Sequence, residues 1–261
     1  MTEAQQASEA RIIIQADAAT ANHAAAAHIA RWLAAAVARR GRADWATTGG
    51  SAAPGIYRCL ADDPSRDEIP WADVHIWWGD DRFVPRDHPL SNVKPLDDVL
   101  GANPDLALPM ANLHPFQCAE AIAAGRDAAS VARLLAADLA EAGLATADGF
   151  PVLDLVLLGV GGDGHILSVF PGSAAFDTTE WALAIPVPSH IEPHVARVTM
   201  NPAIVRVARD VLVVATGSGK AEILEEILGP TRDERRWPAQ IAWHERATWI
   251  LDEAAAARLP R

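Results

Sequence analysis

The sequence predicts an α/β fold: a mostly parallel sheet flanked by helices on both faces. Two observations carry this. Short apolar runs of strand length alternate along the chain with longer stretches of helical composition, the pattern of successive strand–helix–strand units. Several of those runs end in glycine-rich turns, and in open α/β sheets the carboxyl ends of the strands are where ligands bind. The 261 residues suffice for one large α/β domain, and no linker divides them. We expect a frayed tail over residues 1–10 and a single domain over 11–261.

Each element has its own signal. Arg11-Ile12-Ile13-Ile14-Gln15 reads as a strand. An Ala-rich helix follows from Asp17 to Arg40, with Asp17 at its start, Arg39 and Arg40 in its last turn and Gly41 as its stop. Asp44 to Thr48 is a short strand entering Gly49-Gly50-Ser51, and a helix runs from Pro54 to Leu60. Val74-His75-Ile76-Trp77-Trp78 is the next strand, ending at Gly79-Asp80-Asp81-Arg82. Residues 91–100 and 119–143 read as helical. The run Leu153 to Leu158 is a strand that empties into Gly159-Val160-Gly161-Gly162-Asp163-Gly164-His165. Strands are expected at 183–187, 195–199, 211–216 and 247–251, a helix from Ser218 to Leu228, and a short helix at the C-terminus.

Composition narrows the function classes. With 22 Lys and Arg against 34 Asp and Glu the net charge is −12. No basic run is long enough for a nucleic-acid or anionic-membrane surface, since Arg232, Arg235 and Arg236 are broken by Asp233 and Glu234. A small anionic substrate stays open, because a few local cations outweigh a diffuse acidic surface at short range. Cys59 and Cys118 have no metal-type spacing and fit a reducing compartment. The N-terminus lacks a signal-peptide pattern and no apolar run is long enough to span a bilayer, so a cytoplasmic protein is expected.

Four segments carry chemistry. Thr47-Thr48-Gly49-Gly50-Ser51 joins a strand to a helix, so its backbone N–H groups form either an anion cradle or a tight turn with Ser51 as helix cap. In Gly79-Asp80-Asp81-Arg82, Arg82 has the fork to grip a phosphate and Asp80 or Asp81 to orient it or a water; the alternative is a solvated loop. In the third segment, His165 follows the turn with a reference pKa of about 6.5, which suits a general base as well as a buried structural histidine. Asp163 either orients the turn or bonds the imidazole. Gly159, Gly161 and Gly162 do not have dinucleotide-fingerprint spacing. In the fourth, Thr216-Gly217-Ser218-Gly219-Lys220-Ala221, Lys220 can reach a phosphate, but the full ATP-binding loop pattern fails. Arg197, on its expected strand, is a further cation or a strand-edge charge. His190 and His194 flank Glu192 and Pro193 in a loop, a weak metal signal, and no metal constellation emerges.

These segments together resemble the 6-phosphogluconolactonase family. Gly159 to His165, then Ser168-Val169-Phe170-Pro171-Gly172, matches the family's G-x-G-x-D-G-H-x-A-S-L-F-P-G nearly throughout. Trp78 to Pro85 with Ser91-Asn92 matches W-G-D-E-R-x-V-P…S-N; Arg197-Val198-Thr199 with Pro202 matches R-x-T…P; Gly217 to Ala221 matches G-x-x-K-A. The family's G-G-S-T-P reads Gly49-Gly50-Ser51-Ala52-Ala53-Pro54 here, and Leu167 stands where a small residue is usual. The resemblance implies a modified Rossmann-like fold similar to glucosamine-6-phosphate deaminase, ribose-5-phosphate isomerase and CoA-transferase. It also implies hydrolysis of 6-phospho-D-glucono-1,5-lactone in the oxidative pentose phosphate pathway, by a monomer or weak homo-oligomer needing no cofactor or metal. His165 would be the general base aided by Asp163, and Gly49, Gly50, Ser51, Asp80, Arg82, Arg197 and Lys220 would hold the sugar phosphate. Two alternatives remain: a deaminase-like isomerase, whose I-A-F-N-E-P after the histidine is absent from Ile166 to Pro171, and a non-catalytic sugar-phosphate binder.

Overall fold

The computed structural model describes residues 10–62 and 64–260. The expected tail falls, but for residue 10, outside the described residues. Seven strands form one sheet, all pairs parallel: β1 (Arg11–Gln15), β2 (Ala43–Thr47), β3 (Val74–Trp78), β5 (Leu113–His114), β8 (Leu155–Leu158), β11 (Val211–Ala215) and β12 (Ala247–Asp252). Their spatial order is β1-β12-β11-β8-β2-β3-β5.

That order explains where the site must lie. From β1 the chain moves to β2, β3 and β5 in one direction across the sheet, then returns through β8, β11 and β12 in the other. Right-handed crossovers therefore place the first connections on one face and the later ones on the opposite face. Accordingly α1 (Ala18–Arg40) packs on α2 (Ala53–Ala61), whereas α4 (Ala128–Glu141), reached through α3 (Cys118–Ala123), packs on β9 (Ala182–Ile185) and β10 (Arg197–Met200). The direction reverses between β8 and β2, which are hydrogen-bonded neighbours. The carboxyl ends of these two strands open a crevice at the reversal point, where such sheets bind ligands.

The longest helix shows how closely local sequence dictates structure. Asp17 caps α1 by accepting from Thr20 N at 2.8 Å, and Thr20 Oγ1 accepts from Asp17 N at 3.1 Å. Gly41 ends it at φ +72°, donating to Val37 O at 2.7 Å. Its buried residues, from Ala21 to Ala36, lie against the sheet. The large core side chains include Trp45 on β2, Trp77 and Trp78 on β3 and Trp249 on β12, all fully buried. Each such ring contributes on the order of 5 kcal/mol of transfer free energy before entropy is counted.

Four expectations need correction. The strands near 183–187 and 195–199 do not join the parallel sheet; β9 and β10 pair antiparallel with β4 (Asp80–Arg82) in a separate three-stranded sheet. The chain leaves β3 at Gly79 and enters β4 at once, because Gly79 N bonds Thr47 O in the parallel sheet while Gly79 O accepts from Met200 N in the small one. The helix expected over 119–143 is broken: Gly125 turns left-handed at φ +66° and Asp127 caps the next segment through Ser130 N at 2.9 Å. Residues 91–100 are helical only from Lys94, as one α turn widening into a π turn over Asp97–Gly101. Among the described residues, 253–260 form turns and no helix; the stretch is too short to offset helix nucleation, and Asp252 before it bonds Gly217 N and Ala255 N. Two-residue strands β6 (Thr146–Ala147) and β7 (Phe150–Pro151) form a hairpin the sequence reading did not contain.

Candidate active site

The loops after β2, β8 and β11 meet the small antiparallel sheet in one cleft at the reversal point. Its lining includes Gly49, Gly50, Ser51, Asp80, Arg82, His165, Arg197 and Lys220, so all but one of the expected site residues face the same space. Asp163 lies behind His165 and bonds to it.

The histidine is aimed by its own turn. Gly161 N donates to His165 O at 2.8 Å and Gly164 N to Gly161 O at 3.1 Å, closing a tight loop. A Cβ on Gly161 would lie 2.0 Å from His165 Nδ1, so no other residue lets the imidazole fold back over this turn. Asp163 Oδ1 bonds His165 Nδ1 at 2.5 Å and also accepts from His165 N at 3.2 Å. Of the two alternatives for Asp163, the side chain does both: it braces the turn and holds the imidazole. Burial works to raise its carboxyl, but the hydrogen bonds and charge of His165 outweigh it and hold Asp163 well below the usual carboxylate range. An ionised Asp163 takes a proton-bearing Nδ1, which leaves the free lone pair of the neutral ring on Nε2. Phe170 packs on the ring at 4.8 Å between centroids.

The cations come from the antiparallel sheet and from the loop after β11. Arg82 and Arg197 are direct cross-strand partners on β4 and β10. Arg82 Nη1 donates to Leu90 O at 2.8 Å, and Arg197 Nη2 donates to Pro193 O at 3.3 Å. The Nε of each is buried with no hydrogen-bond partner in the protein. Burial and then the charge of Arg82 push the Arg197 guanidinium down from its ordinary value. Lys220 Nζ donates to Val160 O at 2.6 Å, and burial lowers its ammonium too, against the pull of Asp163. Paired cations with orphan donors, one of them buried and one partly buried, have the chemistry to receive a dianion.

The neighbouring carboxylates serve the frame. Asp80, which the sequence reading offered as a partner for Arg82, instead accepts from Ser168 Oγ at 2.5 Å and from Asn92 Nδ2 at 3.1 Å. Asp81 accepts from Arg82 N, Asn92 N and Ser91 Oγ, at 2.8, 2.7 and 3.2 Å. Burial, against these hydrogen bonds, pushes its carboxyl up to about 7. Asn92 packs so tightly on Gly49 that a Cβ there would lie 1.9 Å from Asn92 Oδ1. Ser51 is not the helix cap: α2 is preceded by Ala52, which makes no side-chain cap. Gly50, at φ +80°, lets the backbone turn into the cleft.

Sequence reasoning did not place three neighbours of the site. Ser168 and Phe170 were only motif positions, and His190 only half of a weak metal pair. His190 Nε2 lies 3.2 Å from Asp163 Oδ2, a contact no spacing rule could give because it joins two loops 27 positions apart. Among the described residues, no group of three or more His, Cys, Asp or Glu could hold a metal ion, and no helix is long and apolar enough to cross a membrane.

The family model for glucosamine-6-phosphate isomerases/6-phosphogluconolactonase matches residues 16–250. The chain belongs to this family. Within it, the 6-phosphogluconolactonase of Streptomyces coelicolor is 31% identical over 96% of this chain and 95% of its own. That of Mycobacterium leprae is 32% identical over 96% and 99%. The solved 6-phosphogluconolactonase of Trypanosoma brucei superposes with a TM-score of 0.81 at 26% identity, covering 97% of this chain and all (100%) of that one. A monomeric glucosamine-6-phosphate deaminase shares the fold at a TM-score of 0.76 with 16% identity. The family's α/β architecture and this chain's seven-stranded parallel sheet therefore agree.

Proposed function

We propose that this chain hydrolyses 6-phospho-D-glucono-1,5-lactone to 6-phospho-D-gluconate, a step of the oxidative pentose phosphate pathway. The observation that carries the reading is the Asp163–His165 pair at 2.5 Å, set in the same cleft as Arg82, Arg197 and Lys220. The phosphate dianion binds the guanidiniums of Arg82 and Arg197, the Lys220 ammonium and the N–H groups of the Gly49–Ser51 turn. Anchoring that remote group holds the lactone carbonyl near His165.

His165 Nε2 then takes a proton from water as the water oxygen bonds to C1. The C1–ring oxygen bond breaks, and the same Nε2–H returns the proton to the departing ring oxygen. Asp163 stabilises the transient imidazolium. A δ-lactone is an activated ester, so acid–base help of roughly 10²–10⁴-fold is adequate. The scheme uses no cofactor. Residues from 11 onward serve as one catalytic unit, acting as a cytoplasmic monomer or weak homo-oligomer; the free thiols of Cys59 and Cys118 support a reducing compartment.

The test is turnover of freshly prepared lactone above its spontaneous hydrolysis, run beside ammonia release from glucosamine-6-phosphate. Wild type should accelerate the first and not the second. His165→Ala should lower kcat by roughly 10²–10⁴-fold at an unchanged Tm. Near-wild-type turnover by that variant would remove His165 from the mechanism, and ammonia release would favour the isomerase chemistry.

A further inference from the structure

Asp163 has two oxygens, and the mechanism above uses one. Oδ1 meets His165 Nδ1 at 2.5 Å; Oδ2 meets His190 Nε2 at 3.2 Å. His190 belongs to the segment between β9 and β10, which reaches across to the loop after β8. Its ring stands edge-on to Phe170, at 5.3 Å and 85°, and Phe170 packs in turn against His165. The same segment offers Pro193 O to Arg197 Nη2 and leads directly into β10.

A carboxylate held at one oxygen turns easily, because the terminal torsion of Asp is broad and roughly two-fold. A donor on the second oxygen fixes that torsion, and with it the direction of Oδ1. The segment's other ionisable side chains are engaged elsewhere: His194 Nε2 pairs with Glu192 Oε1 at 3.0 Å, and His194 Nδ1 lies 2.7 Å from Pro188 O. His190 is thus the side chain of its loop that reaches the dyad. It is also exposed, 53% at the side chain, so its removal leaves the core intact.

We infer that His190 is a positioning residue for the hydrolysis: by donating from Nε2 to Asp163 Oδ2 it locks the carboxylate that aims His165. The inference rests on the reading of His165 as general base. It assigns a role in this reaction to a loop that carries none of the motifs by which the family was recognised.

A double-mutant cycle on the full chain tests it, with steady-state kinetics on fresh lactone. His190→Ala should lower kcat roughly fivefold with KM within about twofold, the scale of a half-exposed charged hydrogen bond. His190→Gln, whose side-chain amide can supply a donor in place of Nε2, should restore most of the loss. In an Asp163→Ala background, His190→Ala should add nothing, because the group it acts through is gone. Wild-type kcat in His190→Ala, a loss that glutamine does not restore, or an undiminished loss in the Asp163→Ala background would each overturn the role. A His165→Ala control separates the two readings: if it keeps full turnover, the base assignment itself fails.

Discussion

The two ends of the parallel sheet hold the same kinds of charged residue and treat them differently. At the amino ends the buried carboxylates Asp44, Asp154 and Asp210 each meet a basic side chain. Asp154 accepts from Arg40 Nη2 at 2.5 Å, Arg209 Nε at 3.2 Å and Asp44 N at 2.9 Å. Asp44 binds Arg42 through two bonds of 2.7 and 2.8 Å and takes the Trp77 indole at 2.9 Å, while His28 meets Asp210 at 2.5 Å. At the carboxyl ends Arg82 and Arg197 face each other, and Asp80 and Asp81 bind hydroxyl and amide groups of the frame. A pole built for stability satisfies its charges internally. The carboxyl-end pole leaves its cations under-compensated within the protein, as the proposed binding of a dianion requires.

The largest break in that contrast should come from Arg197→Met. Losing two charge-assisted hydrogen bonds to phosphate should lower kcat/KM on the order of 100-fold. Stability should not fall with it. Arg197 is 2% exposed, its Nε has no partner and Arg82 lies alongside, so an apolar side chain of similar length relieves a desolvated charge. The check is kinetics and thermal denaturation on one preparation. A drop in Tm as large as that of a core mutant would mean the guanidinium is structural.

Asp154→Ala should give the converse, and a smaller effect. Arg40 and Arg209 are partly exposed and can turn to water, but the buried Asp44 N–H loses its acceptor. The expected cost is about 2 kcal/mol of stability, with kcat/KM unchanged for the folded fraction. A clear loss of specific activity at low temperature would show that the two poles are coupled.

This division also marks how far the sequence could be read. The strands β1, β2, β3, β8, β11 and β12 were legible because apolar runs bounded by turn residues need no distant partner to be recognised, and α1 because Asp17 and Gly41 mark its ends locally. Gly161 and His165 were legible as a motif, since one turn carries both. The antiparallel β4–β10 pair was not: Arg82 and Arg197 become neighbours only through a cross-strand register 115 positions apart in sequence, and their orphaned Nε atoms are a property of that packing. The true partners of Asp80, Ser168 and Asn92, were hidden for the same reason.

The smallest predicted effect sharpens the contrast at its border, where Asp81 carries the substrate-side loop. Its carboxyl is pushed up to about 7, chiefly by burial, with the Asp80 charge adding to the rise and the N–H groups of Asn92 and Arg82 opposing it. In the unfolded chain the same group ionises near pH 4, at about 3.9. Between these values the folded protein holds a proton that the unfolded chain has released. The associated stability is complete below the unfolded value and is lost as pH rises through about 7. Asp81→Asn cannot ionise, yet its Oδ1 can still accept from Arg82 N and Asn92 N. Tm measured from pH 5 to 8 should therefore fall more steeply in wild type than in Asp81→Asn. Parallel curves would mean that Asp81 stays ionised throughout, stabilised by its N–H donors, and that this end of the sheet can hold a buried carboxylate without a cation beside it.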